Sequence, residues 1–515
     1  MTATAARDIG VHLLFFRTQA GEARSRLATR GFLADDVIFF MAMLAASLLL
    51  DATVRPRAGR LRCAVGLLVH GLVMTAVFGL GLAGSGNAPV AALLALALLA
   101  LFTVASNAKF TMLGEPVVFS DLALLIAILR HPRFYFTAIS RRDRMLAAIA
   151  GVLALGLLVV LFRPAPVPHA TGVALTIGAV GVLFVLLRGR WFARAMPTST
   201  LEGDLVRYGL IATLLLYWQH WRALSDPPPC PPLSTAQTSD VPPELIVIVQ
   251  CESYADPVAL TGDASRALPG LERARAEAWQ YGELAVSGFG AYTMRTEYGV
   301  LFGREEETLG LRRYDPFLTA LGETSYAMST RLKAVGYRCT FVHPHDLRFY
   351  GRDRLMPAIG FDRLIGEEHF AAAPANGGRY VDDRTLGTSL HDLIQADAAP
   401  SLIYAVTMEN HGPWDKHREP GSSGGLDAYL RHLRNSDDML GALSDQLASD
   451  GRPALLVFFG DHRPSIPGVI EPGGARHTPY VMLRFGSDGQ PIAGAGRVDL
   501  SPAGLHHAIL RCGRS

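Results

Sequence analysis

The chain has 515 residues, half of them apolar, and a formal net charge of only +2. That length suggests two or three domains, and so even a charge balance leaves no electrostatic footprint for nucleic acid. Five scattered cysteines (Cys63, Cys230, Cys251, Cys339 and Cys512) form no CxxC pair, so neither a zinc site nor a disulfide framework is implied.

The apolar residues concentrate before residue 222. The first run, "VHLLFF", is short and is followed by Arg17, Arg24, Arg26 and Arg30, so no cleavable signal peptide is expected. Uncharged apolar runs follow at 37–50, 63–84, 88–108, 145–162 and 170–187. A spanning helix needs about 20 mainly apolar residues. The last four runs meet that length or nearly so, and the first spans only with help from its flanks. A membrane domain over 1–222 with about five transmembrane helices is therefore expected. The run "YGLIATLLLYWQHW" at 208–221 is shorter between its aromatic ends and suits an interfacial helix. Arginines lie on both sides of the first run, so charge alone sets no orientation. Between the third and fourth runs, "LGEPVVFSDLALL" carries Glu115 and Asp121. Two readings stand for it: a solvated loop, or a membrane-surface segment facing an active site.

Residues 223–243 form a proline-rich linker, which predicts extended chain. The remainder, 244–515, reads as an α/β domain. "ELIVIVQCES" is a short apolar strand ending at Glu252, and "PALLVFFGDHRP" repeats that design up to Asp461 and His462. "CTFVH" ends at His343, and "SLIYAVTMENHGPW" carries His411. Helical stretches such as "AYLRHLRNSDDMLGALSDQL" lie between them, which predicts a largely parallel sheet. Ligands bind such sheets beyond the carboxyl ends of the strands. Singly, each of these residues is as well explained by a helix cap or a structural histidine. Together they suit a divalent ion such as Mn²⁺, Mg²⁺ or Zn²⁺.

"GFGAYTMRTEYGVLFG", residues 288–303, leads a glycine loop into a helical pattern at Thr293. A threonine hydroxyl becomes a nucleophile only when a base or metal activates it. The glycines would let the backbone approach a phosphate, and a helix start favours an anion. Tyr292 and Thr296 are the competing hydroxyls.

These motifs, in this order, resemble the alkaline phosphatase superfamily. More closely, the chain is similar to the lipoteichoic acid synthase and phosphoglycerol transferase group. The matching segments are "QCES", "TMRTEY", "FYGRD", "NHGPW" and "FGDH". The resemblance implies a multi-pass α-helical membrane domain followed by an extracytoplasmic α/β sulfatase-like domain over 244–515. It implies one Mn²⁺-like ion held by Glu252, Thr293, Asp461 and His462, with Thr293 as catalytic nucleophile. It implies glycerol phosphate binding by His343, Arg352 and His411, with Tyr350 where a tryptophan is usual and His477 at a further position near the phosphate. The implied partners are a phosphatidylglycerol-like donor lipid and a glycan or polymer acceptor, at the inner (cytoplasmic) membrane. A phosphoethanolamine transferase, another sulfatase-fold hydrolase and a non-catalytic binding protein are the alternatives.

Overall fold

The computed structural model describes residues 36–57, 62–122, 162–164, 166–189, 200–233, 242–370, 380–396, 400–414, 424–466, 468–473 and 476–512, with a few positions between 145 and 161. They divide into two compact units: Met1–Phe110 with Pro116–Arg222, and Thr111–Glu115 with Ala223–Ser515.

In the first unit, helices Ala64–Ser85, Ala88–Leu113 and Pro166–Arg188 are long and apolar enough to cross a membrane. Residues 36–51 are helical but shorter than a span, and most of the run at 145–162 lies outside the described residues. Helices Ala64–Ser85 and Pro166–Arg188 approach closely through glycine. A Cβ on Gly79 would lie 2.8 Å from the Gly172 carbonyl oxygen, and one on Gly172 would lie 2.6 Å from that of Gly79. Small residues permit such backbone approach where lipid supplies no hydrophobic force between helices. The run expected at an interface forms helix Leu210–Arg222, which buries Leu210, Ala212, Leu214, Leu216 and Tyr217 within the unit. Its first N–H donates to the buried Asp51 carboxylate at 3.0 Å, and Arg62 neutralises that carboxylate at 2.8 Å.

The second unit is built on one eight-stranded sheet, ordered β4-β3-β5-β1-β6-β7-β2-β8. The strands are β1 (Leu245–Cys251), β2 (Gln280–Ala285), β3 (Arg338–Val342), β4 (Arg363–Ile365), β5 (Ser401–Val406), β6 (Ala454–Gly460), β7 (His477–Phe485) and β8 (Gly496–Arg497). From β4 to β6 the neighbours are parallel, whereas β7 runs antiparallel to both β6 and β2. β1 is buried along its whole length, which is why Leu245 to Val249 form an apolar run rather than an alternation. Its pleat still sorts side chains. Ile246 and Ile248 join one core, while Leu245, Val247 and Val249 join the other. Helices Thr293–Phe302 and Pro502–Cys512 supply the first core. Helices Asp383–Ala396 and Gly425–Asp450 supply the second.

The described part of the proline-rich stretch, residues 224–233, forms neither helix nor strand and is tied to this unit. Asp226 pairs with Arg312 at 2.9 Å, the Cys230 N–H donates to Ser325, and Leu233 is buried in the first core.

Candidate active site

Because β1, β3, β5 and β6 are parallel, the residues that follow them emerge on one edge of the sheet. Glu252, His343, the segment 407–411, Asp461 and His462 are therefore gathered there. β7 starts at the same edge, which brings His477 to it.

Glu252, Asp461 and His462 are buried, and each offers a ligand atom within 4.8 Å of the others. Backbone stitching fixes them. The Ser253 N–H donates to Asp461 Oδ1 at 2.8 Å, the Asp461 N–H to the Cys251 carbonyl at 3.2 Å, and the Glu252 N–H to Thr407 Oγ1 at 3.0 Å. The Ser253 hydroxyl donates to Glu252 Oε1 at 2.9 Å.

The electrostatics of this group ask for a cation. Burial, reinforced by the charge of Asp461 and opposed by His462, pushes the Glu252 carboxyl up to about 8. Asp461 Oδ2 is buried without a hydrogen-bond partner. His462 Nδ1 lies 3.2 Å from the Arg463 carbonyl, which takes the ring N–H. Its Nε2 faces Glu252 Oε1 at 3.3 Å and Asp461 Oδ2 at 3.6 Å. Two buried carboxyl groups and an imidazole thus present donor atoms to one point, a set that a divalent ion would bridge. The oxygen and nitrogen donors accept Mn²⁺, Mg²⁺ or Zn²⁺, so the residues fit a resident metal.

Thr293 opens helix Thr293–Phe302. Its predecessor Tyr292 caps the helix in the left-handed conformation, with φ 79°. One turn on, the Thr296 hydroxyl donates to the Asp461 carbonyl at 2.8 Å. This bond ties the helix to Asp461 and occupies the hydroxyl that competes with Thr293. The glycines before the helix are required by the chain itself. A Cβ at Gly288 would lie 2.1 Å from the Ala291 carbonyl oxygen, and one at Gly290, where φ is +66°, would lie 2.4 Å from Ser465 Cβ. The chain itself fills the space.

Arg352 is 1% exposed and does not bridge to its neighbour Asp353 as a surface arginine would. Its Nε and Nη2 bond Glu297 at 3.0 and 2.5 Å, and Nη1 lies 3.3 Å from His343 Nε2. The guanidinium also stands over the Tyr350 ring, 5.2 Å from its centroid. The planar fork expected for phosphate is thus filled by a carboxylate that sequence reasoning left without a role. His343 donates Nδ1–H to the Val406 carbonyl at 3.0 Å. Burial, then the Arg352 charge, hold it well below its usual range. His411 is half-buried, with Nδ1 2.8 Å from the Gly412 carbonyl and its ring edge-on to Tyr380. His477 engages Arg463 at 2.9 Å and Glu283 at 3.1 Å.

Among the described residues, three non-glycine positions have positive φ: Ser253, Tyr292 and Tyr350. Each adjoins or nearly adjoins a predicted site residue, which is where backbone strain concentrates. Asp383, 3.9 Å from Cys251 Sγ, belongs to a polar network absent from the sequence reading. Glu409 accepts from His432 at 2.7 Å, from Asn435 at 2.6 Å and from the Asp383 N–H at 2.7 Å. Asp383 in turn accepts from Ser436 at 2.5 Å.

A mixed α/β sheet carries at its carboxyl edge a buried carboxylate–histidine triad that could hold a divalent ion, and a threonine opens the helix bonded to that triad. The chain belongs to the sulfatase family, whose model matches residues 244–505. Capsular polysaccharide biosynthesis protein RkpI of Rhizobium meliloti (strain 1021) is 29% identical over 450 residues, 83% of either chain. A putative cyclic beta-1,2-glucan modification protein of the same strain is 26% identical over 265 residues, covering 48% of this chain and 39% of that one. The integral membrane protein lipooligosaccharide phosphoethanolamine transferase A (EptA) from Neisseria meningitidis shares the fold. Its TM-score is 0.55 at 12% identity, over 93% of this chain and 95% of that chain.

Proposed function

We propose that the protein is a membrane-bound, metal-dependent phosphotransferase. It moves glycerol phosphate from a phosphatidylglycerol-type lipid to an envelope glycan or a polyglycerolphosphate acceptor. The observation that carries the reading is the convergence of Glu252, Asp461 and His462 beside a helix that opens with Thr293 and is bonded to Asp461 through Thr296. The motif resemblance supports the donor. The two Rhizobium relatives, named for capsular polysaccharide biosynthesis and for glucan modification, support a glycan acceptor. The reading puts residues 244–515 outside the cytoplasmic membrane, where such acceptors lie.

Glu252, Asp461 and His462, with Thr293 beside them, would hold the ion. When bound, it supplies Lewis acidity and lowers the pKa of a hydroxyl at the site. The Thr293 oxygen attacks the lipid phosphorus, an O–P bond forms, and the bond to diacylglycerol breaks. The threonine proton leaves with the diacylglycerol oxygen. An acceptor hydroxyl then attacks the glycerophospho-threonine and returns a proton to Thr293. His343, kept neutral by its burial, serves as a hydrogen-bond partner rather than a cation. His411, half-buried, is the histidine assigned to proton transfer. Arg352 orders the site through Glu297 and reaches phosphate only by exchanging that partner.

The test is incubation of the purified full chain with headgroup-labelled phosphatidylglycerol or phosphatidylethanolamine, acceptor withheld, followed by peptide mass spectrometry. A glycerophosphoryl adduct on Thr293, absent from Thr293→Ala, supports the proposal. Label from phosphatidylethanolamine instead reassigns the donor. An adduct on Thr296, or turnover retained by Thr293→Ala, overturns the mechanism.

A further inference from the structure

The helix that carries Thr293 is held from a distant part of the chain. Arg295, two residues beyond Thr293, is buried and donates to both oxygens of Glu115, at 3.0 and 3.2 Å. Glu115 lies 180 residues earlier in sequence, just past helix Ala88–Leu113, yet Thr111–Glu115 belongs to the same compact unit as the site. The stretch is seated there by further contacts. Ser465 donates to the Met112 carbonyl at 3.0 Å, Leu113 packs on the core that contains the Thr293 helix, and Gly114, at φ +70°, lies against Pro472. The Arg295 guanidinium stands 3.9 Å from the centre of the Tyr292 ring, and its Nε donates to the Tyr314 carbonyl at 3.2 Å. Tyr292 is the left-handed residue that aims the chain into Thr293.

The connections run in one line: the Glu115 carboxylate fixes the Arg295 guanidinium, the guanidinium fixes the Tyr292 ring, and Tyr292 sets the strained turn from which Thr293 projects. A left-handed non-glycine residue costs about 1–3 kcal/mol and persists only where its surroundings over-determine it. A bidentate buried arginine–carboxylate pair supplies that kind of fixed geometry.

We infer that Glu115 is a positioning residue for the nucleophile, acting through Arg295 and Tyr292 without touching substrate. This rests on Thr293 being the nucleophile. Of the two readings of the segment left open by the sequence, it favours the one that faces the active site. Small errors in the placing of a reacting group cost rate rather than affinity. Glu115→Gln keeps the side-chain shape and removes the charge.

The experiment uses the full chain in detergent, with wild type, Glu115→Gln, Arg295→Ala and the double variant. The expected result is a fall in kcat of roughly tenfold or more, with KM and metal content unchanged, and faster hydrogen exchange confined to residues 288–297. The double variant should be no worse than Arg295→Ala, because both changes break one connection. The exchange arm stands even where the donor lipid has been misassigned, so its failure is distinct from failure of the functional reading. Wild-type kcat and exchange in Glu115→Gln would overturn the inference. So would additive losses in the double variant, or a loss of metal with exchange raised across the whole unit, which marks a merely structural pair.

Discussion

At the scale of single residues, the site is a set of buried charges whose partners decide what each substitution does. Arg352 and Glu297 are almost wholly enclosed. Removing one member of such a pair leaves an uncompensated charge and costs about 3–5 kcal/mol. Arg352→Ala should therefore lower the melting temperature and abolish turnover together. Arg352→Lys keeps the charge but loses the second bond to Glu297, so it should lower both in smaller measure; a surface arginine would tolerate either change. Thr296→Val should behave differently. It leaves the Asp461 carbonyl short of a donor, for a cost of about 1–3 kcal/mol, yet Thr293 should still accept the phosphoryl group in the adduct assay. Glu252, Asp461 and His462 were legible in the sequence because each follows an apolar run directly. Glu297 was visible as part of a motif but had no role, because its partner lies 55 residues away and no local pattern links them.

At the scale of elements, the parallel strands and the sheet edge they share were foreseeable from apolar runs of strand length alternating with helical patterns. The antiparallel β7 was not, since a single strand carries no mark of direction. The network joining Asp383, Ser436, Glu409 and His432 was also invisible. It links helices Asp383–Ala396 and Gly425–Asp450 to the turn after β5, each contributing polar residues that read as ordinary solvated positions. Burial, then the charge of Glu409, push Asp383 up to about 8. Its carboxyl thus stays protonated in the folded protein at pH values where the unfolded chain has already lost the proton. The sign follows: the fold loses stability as pH rises from about 4 to about 8, with no further loss from this group above that. Asp383→Asn should flatten this slope, so its melting temperature relative to wild type should rise between pH 5 and 8. An unchanged slope in the variant would place the titration elsewhere.

For the whole molecule, the proposed metal site is a product of the completed fold. Glu252 leaves β1 and Asp461 leaves β6, neighbours in the sheet though far apart in sequence. An ion that binds only the folded state raises stability in proportion to the logarithm of its concentration over its dissociation constant. Chelation should lower the melting temperature of the wild-type chain, and readdition of Mn²⁺ or Zn²⁺ should restore it. Asp461→Ala should hold no metal and should melt at the same temperature with or without chelator. The left-handed backbone at Ser253, Tyr292 and Tyr350 has a consequence for breeding the protein. Glycine at any of the three would release about 1–3 kcal/mol of strain, against about 0.5–1 kcal/mol for the freer unfolded chain, but at Tyr292 the loss of a ring buried in the first core costs about 3–5 kcal/mol and outweighs it. Yet Ser253 bonds Glu252, the Tyr292 ring steadies Arg295, and the Tyr350 ring lies under Arg352. A population selected for heat tolerance alone should therefore drift to glycine at Ser253 rather than at the two tyrosines, and yield survivors that outlast their ancestor while turning over less.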